Sequence, residues 1–184
     1  MKKILSLIMI SVIVFSFCGC SKEKTSSDAE VDIEYYAKLG RIPESEYSLG
    51  SNVQTVKDEL SAKFEENPES YYNITEGEKT ALIDTGEFSY YYLKEKEDEG
   101  ISYIVDFNAA YGFELGTVSV EVKSALNGYE CTEKNADDNS VFFMNYSENC
   151  TYLEYNIGSN VLMFVFENNA LCATAIYNPE LWIL

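Results

Sequence analysis

The chain has 184 residues, with 31 acidic and 13 basic side chains for a net charge of -18, 15 tyrosines, five cysteines and no histidine. Nucleic acid and bare anionic lipid both demand a basic patch, so this charge excludes them as partners. The missing histidine excludes Ser-His-Asp and Cys-His catalysis and every zinc site that needs an imidazole.

Residues 1–19 read as a targeting segment. Lys2 and Lys3 give a positive start, residues 4–17 are an apolar run too short to span a bilayer comfortably, and Phe17-Cys18-Gly19-Cys20 closes it. That ending resembles the lipobox of bacterial lipoproteins, in which a small residue precedes a cysteine that receives diacylglycerol. The resemblance implies that Cys20 is lipidated and becomes the mature N-terminus, tethering the protein to the membrane; an ordinary cleaved signal or a short membrane anchor is the alternative. Processing leaves 11 basic residues against 31 acidic, a net charge of -20. An acidic surface of this kind keeps an exported protein soluble.

Residues 20–32 are polar and aperiodic, a flexible stalk. Residues 33–46 form a lead-in segment: a short helix over 33–39, a turn at Gly40-Arg41-Ile42-Pro43, and an extended stretch over 44–48. With this lead-in included, about 150 residues follow the stalk, enough for one compact domain or two small fused units.

A twelve-residue stretch occurs twice. Leu49-Gly50-Ser51-Asn52-Val53-Gln54-Thr55-Val56-Lys57-Asp58-Glu59-Leu60 returns as Leu115-Gly116-Thr117-Val118-Ser119-Val120-Glu121-Val122-Lys123-Ser124-Ala125-Leu126. Each copy reads as a helix with its start attached: the glycine breaks the preceding strand, Ser51 or Thr117 caps the first turn, and Val53, Val56 and Leu60, or Val118, Val122 and Leu126, draw an apolar stripe. Residues 80–115 also align without a gap on 140–175, placing Tyr92 on Tyr152, Val105 on Val165 and Asn108 on Asn168. The chain therefore divides into repeat unit 1 over 47–110 and repeat unit 2, with the C-terminal tail, over 111–184.

Within unit 1, residues 61–79 are polar, and strands follow over 81–84, 88–94 and 101–107, with 95–100 as a charged hairpin tip. Residues 109–115 lead as a last strand into the second helix. Unit 2 has strands over 129–132, 141–146, 151–157, 161–167 and 171–177, with hairpin turns at Gly158-Ser159-Asn160 and Asn168-Asn169. Consecutive strands and short connections make the sheet antiparallel. The fold class is α+β, with two tandem helix-plus-antiparallel-sheet repeats whose sheets join and whose helices cover one face. Trp182 and its apolar neighbours pack back onto the body.

Cys131, Cys150 and Cys172 remain after processing, an odd number at no metal-binding spacing. Buried thiols are the first reading and one disulfide the second. The single arginine, Arg41, rules out an arginine cluster for phosphate. Acidic pairs such as Asp137-Asp138 and the 97–99 run sit at loop tips and lack calcium-loop spacing. No metal and no cofactor is called for.

The candidate binding residues come from the strand register. Ile101, Tyr103 and Val105 face one way and Ile104 the other, and in the second unit that other face carries Leu162, Phe164 and Phe166. Tyr91, in the run Tyr90-Tyr91-Tyr92, is added to them. Together they make an aromatic sheet face that grips another protein or a glycan; core packing is the rival reading.

The lipobox followed by two helix-then-strand units, each opened by leucine, glycine and a hydroxyl residue before a Val-Lys-x-x-Leu helix, resembles the beta-lactamase inhibitory protein. It is similar, at greater distance, to the small outer-membrane assembly lipoproteins of the SmpA/OmlA type. The resemblance spans about residues 47–177. It implies helices on one face of a joined sheet and a role as a binder or assembly factor, without enzymatic activity. Richness in Asn, Ile, Lys and Tyr with a single Arg points to an AT-rich genome and so to the outer surface of a Gram-positive cell membrane. The expectation is a lipid-anchored extracytoplasmic protein that binds another protein; the alternatives are a structural envelope lipoprotein and a carboxylate-dependent cell-wall hydrolase.

Overall fold

A computed structural model describes residues 31–108, 110–135 and 150–182. In chain order these residues form α1 (Ile33–Lys38), α2 (Val53–Glu66), β1 (Asn73–Glu76), β2 (Thr80–Asp84), β3 (Phe88–Leu93), a short 3-10 segment (Lys94–Glu99), β4 (Tyr103–Asp106), α3 (Ser119–Ala125), β5 (Cys131–Asn135), β6 (Cys150–Ile157), β7 (Asn160–Glu167) and β8 (Ala170–Tyr177). The strands make one antiparallel sheet in the order β1-β2-β3-β4-β8-β7-β6-β5. The fold is α+β. Strands β1 to β4 form one half of the sheet and β5 to β8 the other, and the halves join where Tyr103–Asp106 pairs with Thr174–Tyr177.

Helix α2 buries Val53, Val56 and Leu60, the stripe its spacing dictates. Its cap is Asn52, whose side chain accepts from Thr55 N at 2.9 Å, and not Ser51. It stops at Asn67, which is extended because Pro68 follows. Helix α3 has no side-chain cap at Val118, which instead makes a bridge to Ala170, and it buries Val122 and Leu126. The Thr117 hydroxyl turns away from the helix and donates to Glu114 O.

The repeated leucine-glycine-hydroxyl stretch does something other than cap. Gly50 N donates to Ile101 O at 2.7 Å and Ile101 N to Ser51 O at 2.9 Å; Gly116 N donates to Leu171 O and Leu171 N to Thr117 O, both at 2.9 Å. Each copy thus adds the same two backbone bonds, to the residue two before β4 in one case and to the second residue of β8 in the other. The glycines sit at φ +79° and +89° with open space at the Cβ position, so the backbone conformation, not crowding, calls for glycine.

Two apolar clusters sandwich the sheet. The larger joins Ala37 of α1, Val53, Val56 and Leu60 of α2, Val122 of α3 and Leu126 just after it to Tyr90, Tyr92, Ile104, Leu153, Tyr155, Leu162, Phe164, Phe166, Leu171 and Ile176. The smaller lies on the opposite face and holds Tyr91, Leu93, Tyr103, Val105, Tyr152, Met163, Val165, Ala173, Ala175 and Trp182, with no residue of α1, α2 or α3. Strand β7 is buried over Asn160–Phe166 on both faces, as its uninterrupted apolar run requires. Trp182 folds back as expected, its ring 5.4 Å from that of Tyr103.

Several local expectations change. Strand β1 falls in the stretch read as wholly polar. Residues 44–48 and 110–115 form turns rather than strands, and the tip after β3 winds into a 3-10 segment instead of a plain hairpin loop. The strand expected over 141–146 lies outside the described residues, as do residues 1–30 with Cys20. The gapless sequence alignment lays β3 on β6 and β4 on β7. Counted from each helix, the strands correspond one place later, β3 with β7 and β4 with β8.

Candidate functional site

The structure does not gather the five sheet residues on one face. Ile104, Leu162, Phe164 and Phe166 are each fully buried in the helix-covered cluster, with Phe164 ringed edge-on by Tyr111, Phe113 and Tyr155. Tyr91 lies on the opposite face, because its ladder partner is Tyr103 while Tyr90 pairs with Ile104. The sequence shows the alternation, but which face the helices take depends on how they return over the sheet, and here they return over the face of Ile104. Full burial of each such side chain contributes about 1.5–3 kcal/mol, so all four sit in the core.

Open concave surface occurs instead between α1, α3 and β5. Two adjoining cavities of about 420 and 260 Å³ share Leu126 and Tyr129. The larger is bounded by Val31, Asp32, Ile33 and Glu34 of the α1 start; the smaller by Lys123, Asn127, Cys131, Glu133 and Tyr155. Tyr129, half-buried after α3, divides them and donates its hydroxyl to Glu34 Oε2 at 2.8 Å. Glu34 also pairs with Lys38 one turn on, and the hydrogen bonds from Lys38 and Tyr129 hold its carboxyl below the usual carboxylate range. Lys123 Nζ meets Glu133 Oε2 at 2.6 Å on the far rim.

This groove is built from residues far apart in sequence. Residues 129–132 read as strand, which Cys131 and Thr132 are, yet the thiol expected inside is exposed: Cys131 opens β5 at the edge of the sheet, where no further strand covers it among the described residues. Cys150 is buried and Cys172 half-buried on the helix-free face.

A second concavity, of about 330 Å³, is lined by Glu44, Glu87, Phe88, Asp106 and Asn108. Asp106, only 3% exposed, accepts from Asn108 N at 2.7 Å. Burial, with smaller contributions from Glu44 and Glu87, holds its carboxyl above the usual carboxylate range. No group of three or more metal-ligating side chains occurs among the described residues.

No protein-family model matches the chain, and no curated protein matches it. Among solved structures the chain is similar to a DUF4309 family protein, YjgB, from Bacillus subtilis strain 168. The two are 18% identical with a TM-score of 0.46, over 79% of this chain and 92% of that one.

Proposed function

We propose that this chain is a lipid-anchored extracytoplasmic protein that binds another protein and catalyses no reaction, held to the outer face of a Gram-positive cell membrane through Cys20. The observation that carries the binding reading is the groove between α1 and α3. Its walls combine apolar Val31, Ile33 and Leu126 with the amphipathic Tyr129 and with charges on both rims, the composition of surfaces that take up partner side chains. It is lined by Val31, Asp32, Ile33 and Glu34, the first of the described residues.

We infer further that the fold consists of two tandem helix-plus-sheet repeats, as in the beta-lactamase inhibitory protein and the SmpA/OmlA-type lipoproteins. The doubled pair of backbone bonds, Gly50 and Ser51 with Ile101, Gly116 and Thr117 with Leu171, supports that reading better than the helix stripes do, because it repeats a specific register and not merely an amphipathic pattern.

The test uses the full chain solubilised in detergent to capture partners from envelope extract, beside Tyr129→Ala. Tyr129 is half-buried and packs on the margin of the larger apolar cluster, so the variant is expected to lose some stability yet stay folded, which circular dichroism checks. A partner held by the parent and released by the folded variant supports the groove; a partner held equally by both places the site elsewhere. Cys20→Ser is expected to move the protein from the membrane to the soluble fraction, and retention on the membrane would sink the anchor.

One observation favours a carboxylate-dependent hydrolase instead: Asp106, whose burial pushes its carboxyl above the usual carboxylate range, shares a cavity with Glu87 and Glu44, and glycoside hydrolysis is carried by paired carboxyl groups in unlike surroundings. Release of sugar from cell-wall glycan by the parent chain and its loss in Asp106→Asn would replace the binding reading.

A further inference from the structure

We propose that Asn127 is a site of spontaneous modification, where the chain's one Asn-Gly pair rearranges through a cyclic imide to isoaspartate and aspartate and so alters the rim of the α1–α3 groove as the protein ages. Asn127 and Gly128 are both exposed, in the turn that leads from α3 towards β5, and Asn127 lines the cavity of about 260 Å³.

The structure makes no demand for glycine at this place. Gly50 and Gly100 sit at positive φ; Gly128 does not, and a Cβ built on it meets nothing within 4 Å. What the missing Cβ does provide is access. The main-chain nitrogen of a glycine can be rotated towards a neighbouring side chain with no β-carbon in the way.

Neither reacting group is engaged. Among the described residues the Asn127 side-chain amide makes no hydrogen bond and Gly128 N donates none, while Leu126 N on one side donates to Val122 O and Tyr129 N on the other donates to Leu126 O, both at 3.0 Å. By contrast, the side chains of Asn52, Asn67, Asn73, Asn160, Asn169 and Asn178 are each held in a hydrogen bond. Asn67 and Asn178 also precede prolines, which have no N–H with which to close the ring.

The step balances with water alone. Gly128 N gives up its proton to hydroxide and attacks Cγ of Asn127. The new N–Cγ bond forms as the Cγ–Nδ2 bond breaks, and Nδ2 takes a proton from water and leaves as ammonia. Water then opens the imide. Cleavage at Cγ yields aspartate with the main chain as it was; cleavage at the α carbonyl routes the main chain through the side chain as isoaspartate, one carbon longer.

Both products change the groove. Each adds a carboxylate to a rim that already carries Glu133 beside Lys123. Isoaspartate also lengthens the main chain inside the turn that Tyr129 N closes on Leu126 O, and so unseats the residue whose hydroxyl reaches Glu34. An effect on partner binding rests on the groove reading above, whereas the conversion and the loosened turn do not.

The experiment ages the full chain in detergent at mildly alkaline pH. It follows each asparagine by peptide mass spectrometry with fragmentation that separates isoaspartate from aspartate, and follows the Tyr129 amide by hydrogen exchange. Asn127 is expected to convert at least about tenfold faster than Asn156, which is exposed but within β6, with isoaspartate the main product. Gly128→Ala, which the open space admits, should keep its melting temperature and slow the conversion about tenfold or more. The aged chain should lose protection at the Tyr129 amide; Asn127→Asp, which carries the charge without the extra carbon, should retain it. Conversion no faster at Asn127 than at Asn156, an undiminished rate in Gly128→Ala, or aspartate without isoaspartate would overturn the site. Full protection of the Tyr129 amide in the aged chain would overturn the altered turn.

Discussion

Tyr103 and Tyr177 lie face to face across the β4–β8 seam, ring centroids 5.1 Å apart and planes within 5° of parallel. Tyr103 is 1% exposed, its hydroxyl lies 3.8 Å from Met163 Sδ, and Trp182 leans on its ring. The pair therefore closes the junction between the two halves of the sheet. Tyr103→Ala should cost about 3–5 kcal/mol in urea unfolding, and Tyr177→Ala, at a half-buried position, less. The double variant should show a coupling of about 0.5–1.5 kcal/mol beyond burial; strict additivity would mean the stacking contributes nothing.

Gly100 should tolerate no side chain. It has φ +94°, and a Cβ there would stand 2.7 Å from Gly50 C, Gly50 O and Ser51 O, which are backbone and cannot swing aside. Gly100→Ala would push apart the strand-like bonds between Ile101 and the Gly50-Ser51 segment. A loss of about 3 kcal/mol or more is expected, against about 1 kcal/mol for Gly112→Ala, which shares a positive φ but has open space around it. Comparable melting temperatures for the two variants would contradict this.

Glu154 carries a charge into the helix-free face. Its side chain is 8% exposed, Oε2 meets Lys134 Nζ at 2.6 Å, and Oε1 has no hydrogen-bond partner. Lys134→Ala strands that carboxylate and should cost about 3–5 kcal/mol. Replacing both residues together, Lys134→Met with Glu154→Leu, should be near neutral or stabilising. Chemical denaturation of the two variants decides, and equal losses would show that the pair itself, rather than its burial, matters. The exposed Lys94–Glu76 pair serves as a contrast, worth at most about 1 kcal/mol.

Stability should fall steeply at alkaline pH. Burial raises the phenol pKa of Tyr47, Tyr111, Tyr155 and Tyr177 above the ordinary tyrosine value, so in the folded state these groups keep protons that the unfolded chain gives up. Their contribution is fully present below a pH of about 10 and is lost as pH rises above it. Urea midpoints measured between pH 8 and pH 11 should drop. Tyr111→Phe should flatten the drop, at the cost of about 1 kcal/mol at neutral pH for the bond to Arg41 O at 2.8 Å. An unchanged midpoint across that range would refute the argument.

The strands were legible where aromatic and branched residues alternate between turns, and β2, β3, β6, β7 and β8 fall within a residue or two of their sequence-based bounds. Strand β1 was not, since all of Asn73–Glu76 is exposed and pairing with β2 past the Gly77 turn holds it. The sequence alignment slips by one strand because a period of two makes neighbouring apolar strands interchangeable. For the same reason Phe164 and Tyr91 could not be assigned to faces from alternation alone. The α1–α3 groove was hidden for a different reason: Glu34 and Tyr129, 95 positions apart, meet only through tertiary packing, and no local motif announces them.

The doubled bonds of the Leu-Gly-hydroxyl segments also bear on how the chain assembles. Gly50 and Gly116 open their halves, whereas Ile101 and Leu171 stand at or near the start of the last strand of each, so every one of these bonds closes a long loop before its enthalpy is returned. Folding dominated by such non-local closures is expected on the order of milliseconds to seconds. The β4–β8 seam needs both loops closed before its two strands are in place. It should therefore contribute little to the folding nucleus, and substitutions at Tyr103 and Tyr177 should act mainly by hastening unfolding.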